Sequence, residues 1–139
     1  MSAIVGLDPA ALPPATLRHT VGPADTAATL GSGDLAVLGT PKVLALAEAA
    51  CLAVLAGRLE ADLTSVGTEV ALQHRAATPV GSQVTVSAAL SGVEGPALDF
   101  DVEVRDSAGT LLATARLRRA VVHRQRFLDR LGARHPGPG

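Results

Sequence analysis

The chain has 139 residues, with 12 Lys or Arg and 13 Asp or Glu side chains, so its formal net charge is −1. That length provides one domain with its own core, and the balanced charge excludes a general attraction to nucleic acid or to an anionic membrane. A single cysteine permits no intrachain disulfide, and no segment resembles a signal peptide or the roughly 18 apolar residues of a membrane span, so we expect a cytoplasmic protein.

The first predicted elements lie in and after a region rich in proline and glycine. Residues 15–21 (ATLRHTV) alternate in polarity and predict a strand, whereas the rest of this region permits only short elements. Thr40 is a favoured N-cap residue and Pro41 a favoured first helical residue, so we predict a helix over residues 41–56. Only two of its side chains are charged, and a helix that is apolar all round should be enclosed on most sides.

After this helix the hydrophobic pattern changes to a period of two. Turn-forming stretches separate four further strand candidates, which span residues 65–77, 82–95, 96–109 and 110–123. Because the links are short, we expect consecutive strands to be antiparallel neighbours. Residues 124–134 predict a short closing helix, and we expect residues 1–14 and 133–139 to be flexible.

These elements together predict an α+β protein with the hotdog fold. In this fold an antiparallel sheet of about five strands, dry on one face, curls around one long central helix. We expect a single domain over residues 1–139. One small sheet cannot surround an apolar helix, so we also expect a homodimer that buries the remaining surface.

Three polar residues stand out against the apolar pattern, namely Thr40, Glu48 and His74. Each has a structural interpretation beside a catalytic one. Thr40 is explained as an N-cap, Glu48 as an ion pair with Arg75 or another basic residue, and His74 as a half-buried strand residue. Spacing alone leaves these interpretations open.

Three stretches carry a resemblance to a known family: "GTPKVLALAEAAC", "GTEVALQHRAATPVG" and "RAVVH". They resemble the hotdog-fold thioesterases of the fluoroacetyl-CoA thioesterase-like family over roughly residues 38–123. That family has a Thr, a Glu eight residues later on the central helix, and a His in a strand of the pattern GTxxxxxHxAATPxG. The second stretch is the most specific of the three.

The resemblance implies a dimeric enzyme that hydrolyses an acyl-CoA or acyl-carrier-protein thioester. It implies that Thr40, Glu48 and His74 form the catalytic constellation, that Gly67 lies in the acyl-thioester region and that Arg119 lies near the ligand. Gly67 is equally explained as a bulge or strand-start glycine. It implies no metal and no cofactor beyond the coenzyme A of the substrate.

Elementary chemistry assigns a role to each of the three polar residues. Glu48 can act as nucleophile or general base, the helix N-terminus can stabilise an oxyanion, and His74 can move a proton to the leaving thiol. Eight residues of helix rise about 12 Å, so Thr40 and Glu48 of one chain should not touch, and we expect the site at the dimer interface. The acyl pocket should depend on packing around Val37. A non-catalytic acyl-thioester binding module and, less favoured, a hotdog hydratase are the alternatives.

Overall fold

A five-stranded antiparallel sheet and one 16-residue helix form most of the computed structural model, which describes residues 7–135 and residue 137. The elements in chain order are β1 (Ala15–Thr20), a 3-10 turn (Pro23–Asp25), α1 (Ala27–Leu30), α2 (Thr40–Leu55), β2 (Leu63–His74), β3 (Gln83–Glu94), β4 (Ala97–Asp106), β5 (Leu111–His123) and α3 (Arg124–Arg134). Much of the two terminal stretches predicted to be flexible, residues 1–6, 136, 138 and 139, lies outside the described residues.

The start of α2 differs from the prediction by one residue. The N-cap is Gly39, which has an extended backbone and no side-chain cap, so the interpretation of Thr40 as the N-cap is wrong. The physical reason is that the Thr40 hydroxyl bonds to the His74 ring instead. Pro41 still occupies the first turn, where its missing N–H costs no helical hydrogen bond.

The sheet has the strand order β1-β3-β4-β5-β2, which corrects one predicted pairing. β2 pairs with β5 rather than with β3, and β3 lies between β1 and β4. The link over residues 75–82 is short but crosses beside α2, where the Thr78 carbonyl accepts a hydrogen bond from the Leu38 N–H. β2 and β3 are three positions apart in the sheet, which is about 14 Å. Eight extended residues span roughly 26 Å, so the link is long enough.

The core lies between one face of the sheet and α2, which contacts all five strands. In β4 the alternation expected of a half-buried strand is complete: Leu98, Phe100, Val102 and Val104 are buried, while the intervening acidic side chains are at least partly exposed. The apolar face of the sheet therefore covers the helix from one side, as the sequence pattern predicted.

Several apolar side chains stay exposed in the single chain, and those on α2 and β2 lie nearest the central helix and the sheet edge. On α2, Ala45, Ala49 and Leu52 form a stripe away from the sheet, with Leu52 48% exposed. β2 is an edge strand, and its Val70 is 44% exposed. The helix is thus enclosed only on its sheet side. No helix in the described part of the chain is both long and apolar enough to cross a membrane.

Candidate active site

The first pair of predicted site residues meets at the beginning of α2. Thr40 is the first helical residue and His74 is the last residue of β2, and Thr40 Oγ1 lies 2.8 Å from His74 Nδ1. The link after β2 brings the two together, because Leu38, just before α2, donates its N–H to the carbonyl of Thr78. A hydroxyl and an imidazole thus form a hydrogen-bonded dyad across 34 positions of sequence.

The other ring nitrogen of His74 is buried and unpaired. His74 Nε2 has no hydrogen-bond partner within residues 7–135 and 137. A buried polar atom without a partner costs free energy, so it calls for an explanation. A substrate atom or a group from a second chain would satisfy it.

The second group of site residues lies further along α2. The Arg119 Nη1 donates to Glu48 Oε2 at 3.0 Å, so Glu48 does form an ion pair, with Arg119 rather than with Arg75. The Arg119 side chain is only 7% exposed, whereas that of Glu48 is 36% exposed. Arg119 therefore lies behind the carboxylate, and Glu48 presents its other side to the outside.

Gly67 lies directly against the same carboxylate. A β-carbon added at Gly67 would come within 2.7 Å of Glu48 Oε2, a distance that real β-carbons essentially never show. The register of β2 against β5 also shifts between Gly67 and Glu69, which is the bulge that one interpretation of this glycine predicted. Any side chain at position 67 would displace the Glu48 carboxylate from the place that it occupies here.

Val37 lies in the segment that leads into α2. It is half-buried, forms an isolated bridge with Pro79, and its carbonyl accepts a hydrogen bond from the Ala27 N–H. Val37 thus lies three residues before Thr40 and next to the link that follows β2.

The oxyanion donors at the start of α2 are fewer than the sequence suggested. Pro41 has no N–H, and the N–H of Lys42 donates to the Gly39 carbonyl at 3.0 Å. Among the described residues only the Thr40 N–H of this first turn is without a protein acceptor. One backbone donor, rather than a row of them, is left to meet a developing negative charge.

The structure thus brings the predicted residues together in two groups rather than one. Thr40 contacts His74, and Glu48 contacts Arg119 and faces Gly67. The eight residues from Thr40 to Glu48 follow one uninterrupted helix, which separates their backbones by about 12 Å. No hydrogen bond joins the two groups in the part of the chain that the structure describes.

The sequence prediction missed one residue of this site, Ser65. Its hydroxyl accepts a hydrogen bond from Arg119 Nε at 2.9 Å, and its carbonyl accepts one from Arg119 Nη2 at 3.0 Å. Ser65 precedes Gly67 by two residues on β2, so both lie on the same face of the sheet. The two-residue spacing from Gly67 could have indicated Ser65. It indicates a contact with Arg119 only once the pairing of β2 with β5 is known.

Cys51 lies one helical turn after Glu48 and is fully buried. Burial raises the pKa of its thiol to about 12, partly opposed by the positive charge of Arg119 and assisted by the charge of Glu48. A neutral buried thiol is a poor nucleophile, so Cys51 serves as packing. The described residues contain no group of three or more His, Cys, Asp or Glu side chains placed to hold a metal ion.

Comparison with known proteins adds a second kind of information. Residues 21–125 match the family model described as fluoroacetyl-CoA-specific thioesterase. The chain is 35% identical over 100 residues to the fluoroacetyl-CoA thioesterase of Streptantibioticus cattleyicolor. The aligned region covers 72% of this chain and 71% of that protein.

Two solved structures show the same architecture. One is a mutant of the fluoroacetyl-CoA-specific thioesterase in complex with fluoroacetate and CoA, with a TM-score of 0.77, 32% identity, and coverage of 83% of this chain and 96% of that one. The other is a hot-dog-like protein from Thermanaerovibrio acidaminovorans, with a TM-score of 0.82, 21% identity, and coverage of 91% and 93%. The predicted hotdog fold is thereby confirmed.

Proposed function

The chain belongs to the fluoroacetyl-CoA-specific thioesterase family, as its resemblance predicted, and we propose that it hydrolyses acyl-CoA thioesters with Glu48, Thr40 and His74 as its catalytic residues. The products are a free carboxylic acid and the coenzyme A thiol. Coenzyme A enters as part of the substrate, and we propose that the reaction needs no further cofactor and no metal.

The setting of Glu48 carries the proposal. One carboxylate oxygen is fixed by the buried Arg119, while the side chain keeps about a third of its surface exposed, at 36%. Partial exposure lowers the desolvation cost of the charge and also leaves the carboxylate open to a substrate. A fixed but accessible oxygen is what a nucleophile or a general base requires.

The reaction then follows from the two groups of residues. Glu48 either attacks the thioester carbonyl carbon, giving a mixed anhydride that water later cleaves, or takes a proton from the water that attacks. In both routes the carbon–sulfur bond breaks, and the thiolate takes a proton, for which the His74 imidazole is the available donor. We propose that the Thr40 N–H stabilises the carbonyl oxygen as negative charge develops.

We further propose that each active site forms between two copies of the chain. Thr40 and Glu48 of one chain are about 12 Å apart along α2, whereas an antiparallel partner helix would bring its own Glu48 toward the Thr40–His74 dyad. The exposed stripe of α2 and the open edge of β2 supply apolar surface for such a homodimer. In this arrangement Val37 and Gly67 would line the path of the acyl thioester.

A cytoplasmic location is part of the same proposal. Acyl-CoA substrates and a single free cysteine both fit a reducing compartment.

The experiment that tests the proposal follows release of free thiol from a panel of short, branched and aromatic acyl-CoAs. We expect hydrolysis above background by the wild type, and a loss of about 10²- to 10⁴-fold in kcat/KM for Glu48→Gln and for His74→Ala. Cys51→Ala is the matched control on α2 and should retain full activity. Full activity in both site variants would refute the assignment, and cleavage of no acyl-CoA would refute the hydrolase.

A further inference from the structure

Ser65 and Arg119 form a buried unit behind the proposed catalytic carboxylate. Ser65 is 8% exposed and Arg119 6% exposed. The Arg119 side chain makes three hydrogen bonds to described residues, two of them to Ser65: Nε to Oγ at 2.9 Å and Nη2 to the carbonyl at 3.0 Å. The third runs from Nη1 to Glu48 Oε2 at 3.0 Å.

The geometry of the guanidinium couples these three contacts. The group is planar and rigid, so two bonds along one edge fix both its plane and its rotation within that plane. With Nε and Nη2 held on Ser65, the direction of the Nη1–H bond is no longer free. Ser65 thereby determines where the Glu48 carboxylate meets its only hydrogen-bond donor among the described residues.

Among the described residues, the two that pair with Arg119 in the sheet offer its guanidinium no side-chain acceptor in place of Ser65. In the sheet, Arg119 pairs with Gly67 on β2, which has no side chain, and with Leu98 on β4, which is apolar. Without the serine hydroxyl the Nε–H would be left buried without an acceptor, which is costly for a charged donor. The guanidinium would rotate or shift to regain a partner, and the Glu48 carboxylate would move with it.

We propose that Ser65 is a positioning residue of the hydrolase, which acts through Arg119 to hold the Glu48 carboxylate in its reactive position. This inference rests on the proposed function, in which Glu48 acts on the thioester or on the attacking water. It predicts that the serine hydroxyl affects the rate of the chemical step more than the binding of substrate, because Ser65 acts only through Arg119 and Glu48.

The test compares variants at position 65 with thiol release as the readout. We expect Ser65→Ala to lower kcat about tenfold or more with KM within about twofold, because a small displacement of a catalytic group is sufficient for such a loss. Ser65→Thr and Ser65→Val have nearly the same size and differ in the hydroxyl, so we expect Ser65→Thr to be the faster of the two by about the same factor. Thr68→Ala is the matched control. It also removes a hydroxyl from β2, but this hydroxyl donates to the Arg118 carbonyl and does not contact the Arg119 side chain.

A double-mutant cycle with Glu48→Gln separates positioning from a general structural effect. If Ser65 acts through Glu48, adding Ser65→Ala to Glu48→Gln should lower the residual rate by less than about twofold. An undiminished loss in that background, or equal rates for Ser65→Thr and Ser65→Val, would overturn the inference. Thermal unfolding of each variant verifies the fold.

The result also distinguishes this inference from the proposed function. If Glu48→Gln is inactive while Ser65→Ala retains the wild-type kcat, only the positioning role of Ser65 is overturned. If Glu48→Gln itself retains full activity, the catalytic assignment fails, and the positioning role fails with it.

Discussion

Glu48 joins two properties that the sequence presented as alternatives. It forms an ion pair, and it also remains accessible enough for chemistry, because Arg119 lies on its buried side. A buried charge without its partner would be strongly destabilising, whereas a fully enclosed pair could not reach a substrate. The partial exposure of the carboxylate resolves this conflict at a single residue.

Gly67 provides a prediction at the same scale. We expect Gly67→Ala to lower kcat about tenfold or more, because the new β-carbon would lie 2.7 Å from Glu48 Oε2 and force the carboxylate to move. Gly67 does not have a positive φ, so the backbone accommodates alanine and the unfolding temperature should change little. Gly92→Ala is the matched control at a second irregularity of the sheet, where the nearest atom would be 3.5 Å away. Equal loss of activity in both variants would contradict this explanation.

Cys51 supplies a prediction about reactivity rather than rate. Burial raises the pKa of its thiol to about 12, so at pH 8 the group is neutral as well as inaccessible. We expect a thiol-specific chromogenic reagent to label the native protein negligibly over an hour and to label one thiol at once after denaturation. Rapid labelling of the folded protein would show that α2 opens or that the thiol lies closer to the surface.

At the scale of elements, the sequence predicted most of the architecture. It predicted the wrong neighbour for one strand, β2. The helix and the five strands were found within two or three residues, because their hydrophobic periods are unmistakable. The neighbour of β2 was predicted wrongly, because a short link limits the distance between strand ends without specifying which strand lies alongside. Ser65 was missed for the same reason, since its contact with Arg119 depends on the pairing of β2 with β5.

A buried carboxylate connects the elements that precede the candidate site. Asp25 Oδ2 lies 2.7 Å from His19 Nε2 on β1 and accepts the Gly22 N–H at 2.8 Å, and Oδ1 lies 3.5 Å from Lys42 Nζ on α2. The Asp25 carbonyl also accepts the N–H of Gly39, the N-cap of α2. One residue thus ties β1, the 3-10 turn and the first turn of α2 together.

Asp25→Asn should therefore destabilise the protein in a pH-dependent way. Burial alone would raise the pKa of Asp25, but the Gly22 N–H, the His19 hydrogen bond and the charges of His19 and Lys42 outweigh it, so the pKa lies below 3.8. A folded pKa below the unfolded one contributes stability above about pH 4, and this contribution is lost as the pH falls through the folded value.

The measurement is thermal unfolding of the wild type and Asp25→Asn between pH 3 and pH 7. We expect the gap between their unfolding temperatures to be largest above about pH 4 and to narrow as the pH falls toward 3. Asp101→Asn is the matched control, because its carboxylate pairs with Arg116 between two exposed side chains. A gap that stays constant across this range would show that the charge of Asp25 does not contribute.

At the scale of the whole molecule, one chain holds the proposed catalytic residues in two separate groups. The Thr40–His74 dyad and the Glu48–Arg119 pair lie at different heights on one helix, and His74 Nε2 is buried without a partner among the described residues. The apolar stripe of α2 and the edge of β2 are exposed on the same chain. In the proposed homodimer a two-fold pair of chains would cover these surfaces and bring Glu48 of one chain to the dyad of the other.

Mixing two inactive variants tests that arrangement. If each site takes Glu48 from one chain and the dyad from the other, a dimer of one Glu48→Gln chain and one His74→Ala chain contains one intact site and one doubly altered site. Random exchange makes half of the dimers mixed, so activity should rise to about a quarter of the wild-type value at equal total protein. Thr40→Val mixed with His74→Ala is the matched control: both residues belong to the same dyad, so the mixture should show no more activity than the average of the two variants measured separately. If Glu48→Gln and His74→Ala fail to complement although subunit exchange is demonstrated, each site is formed within a single chain, and a substrate long enough to bridge the two groups along α2 becomes the required explanation.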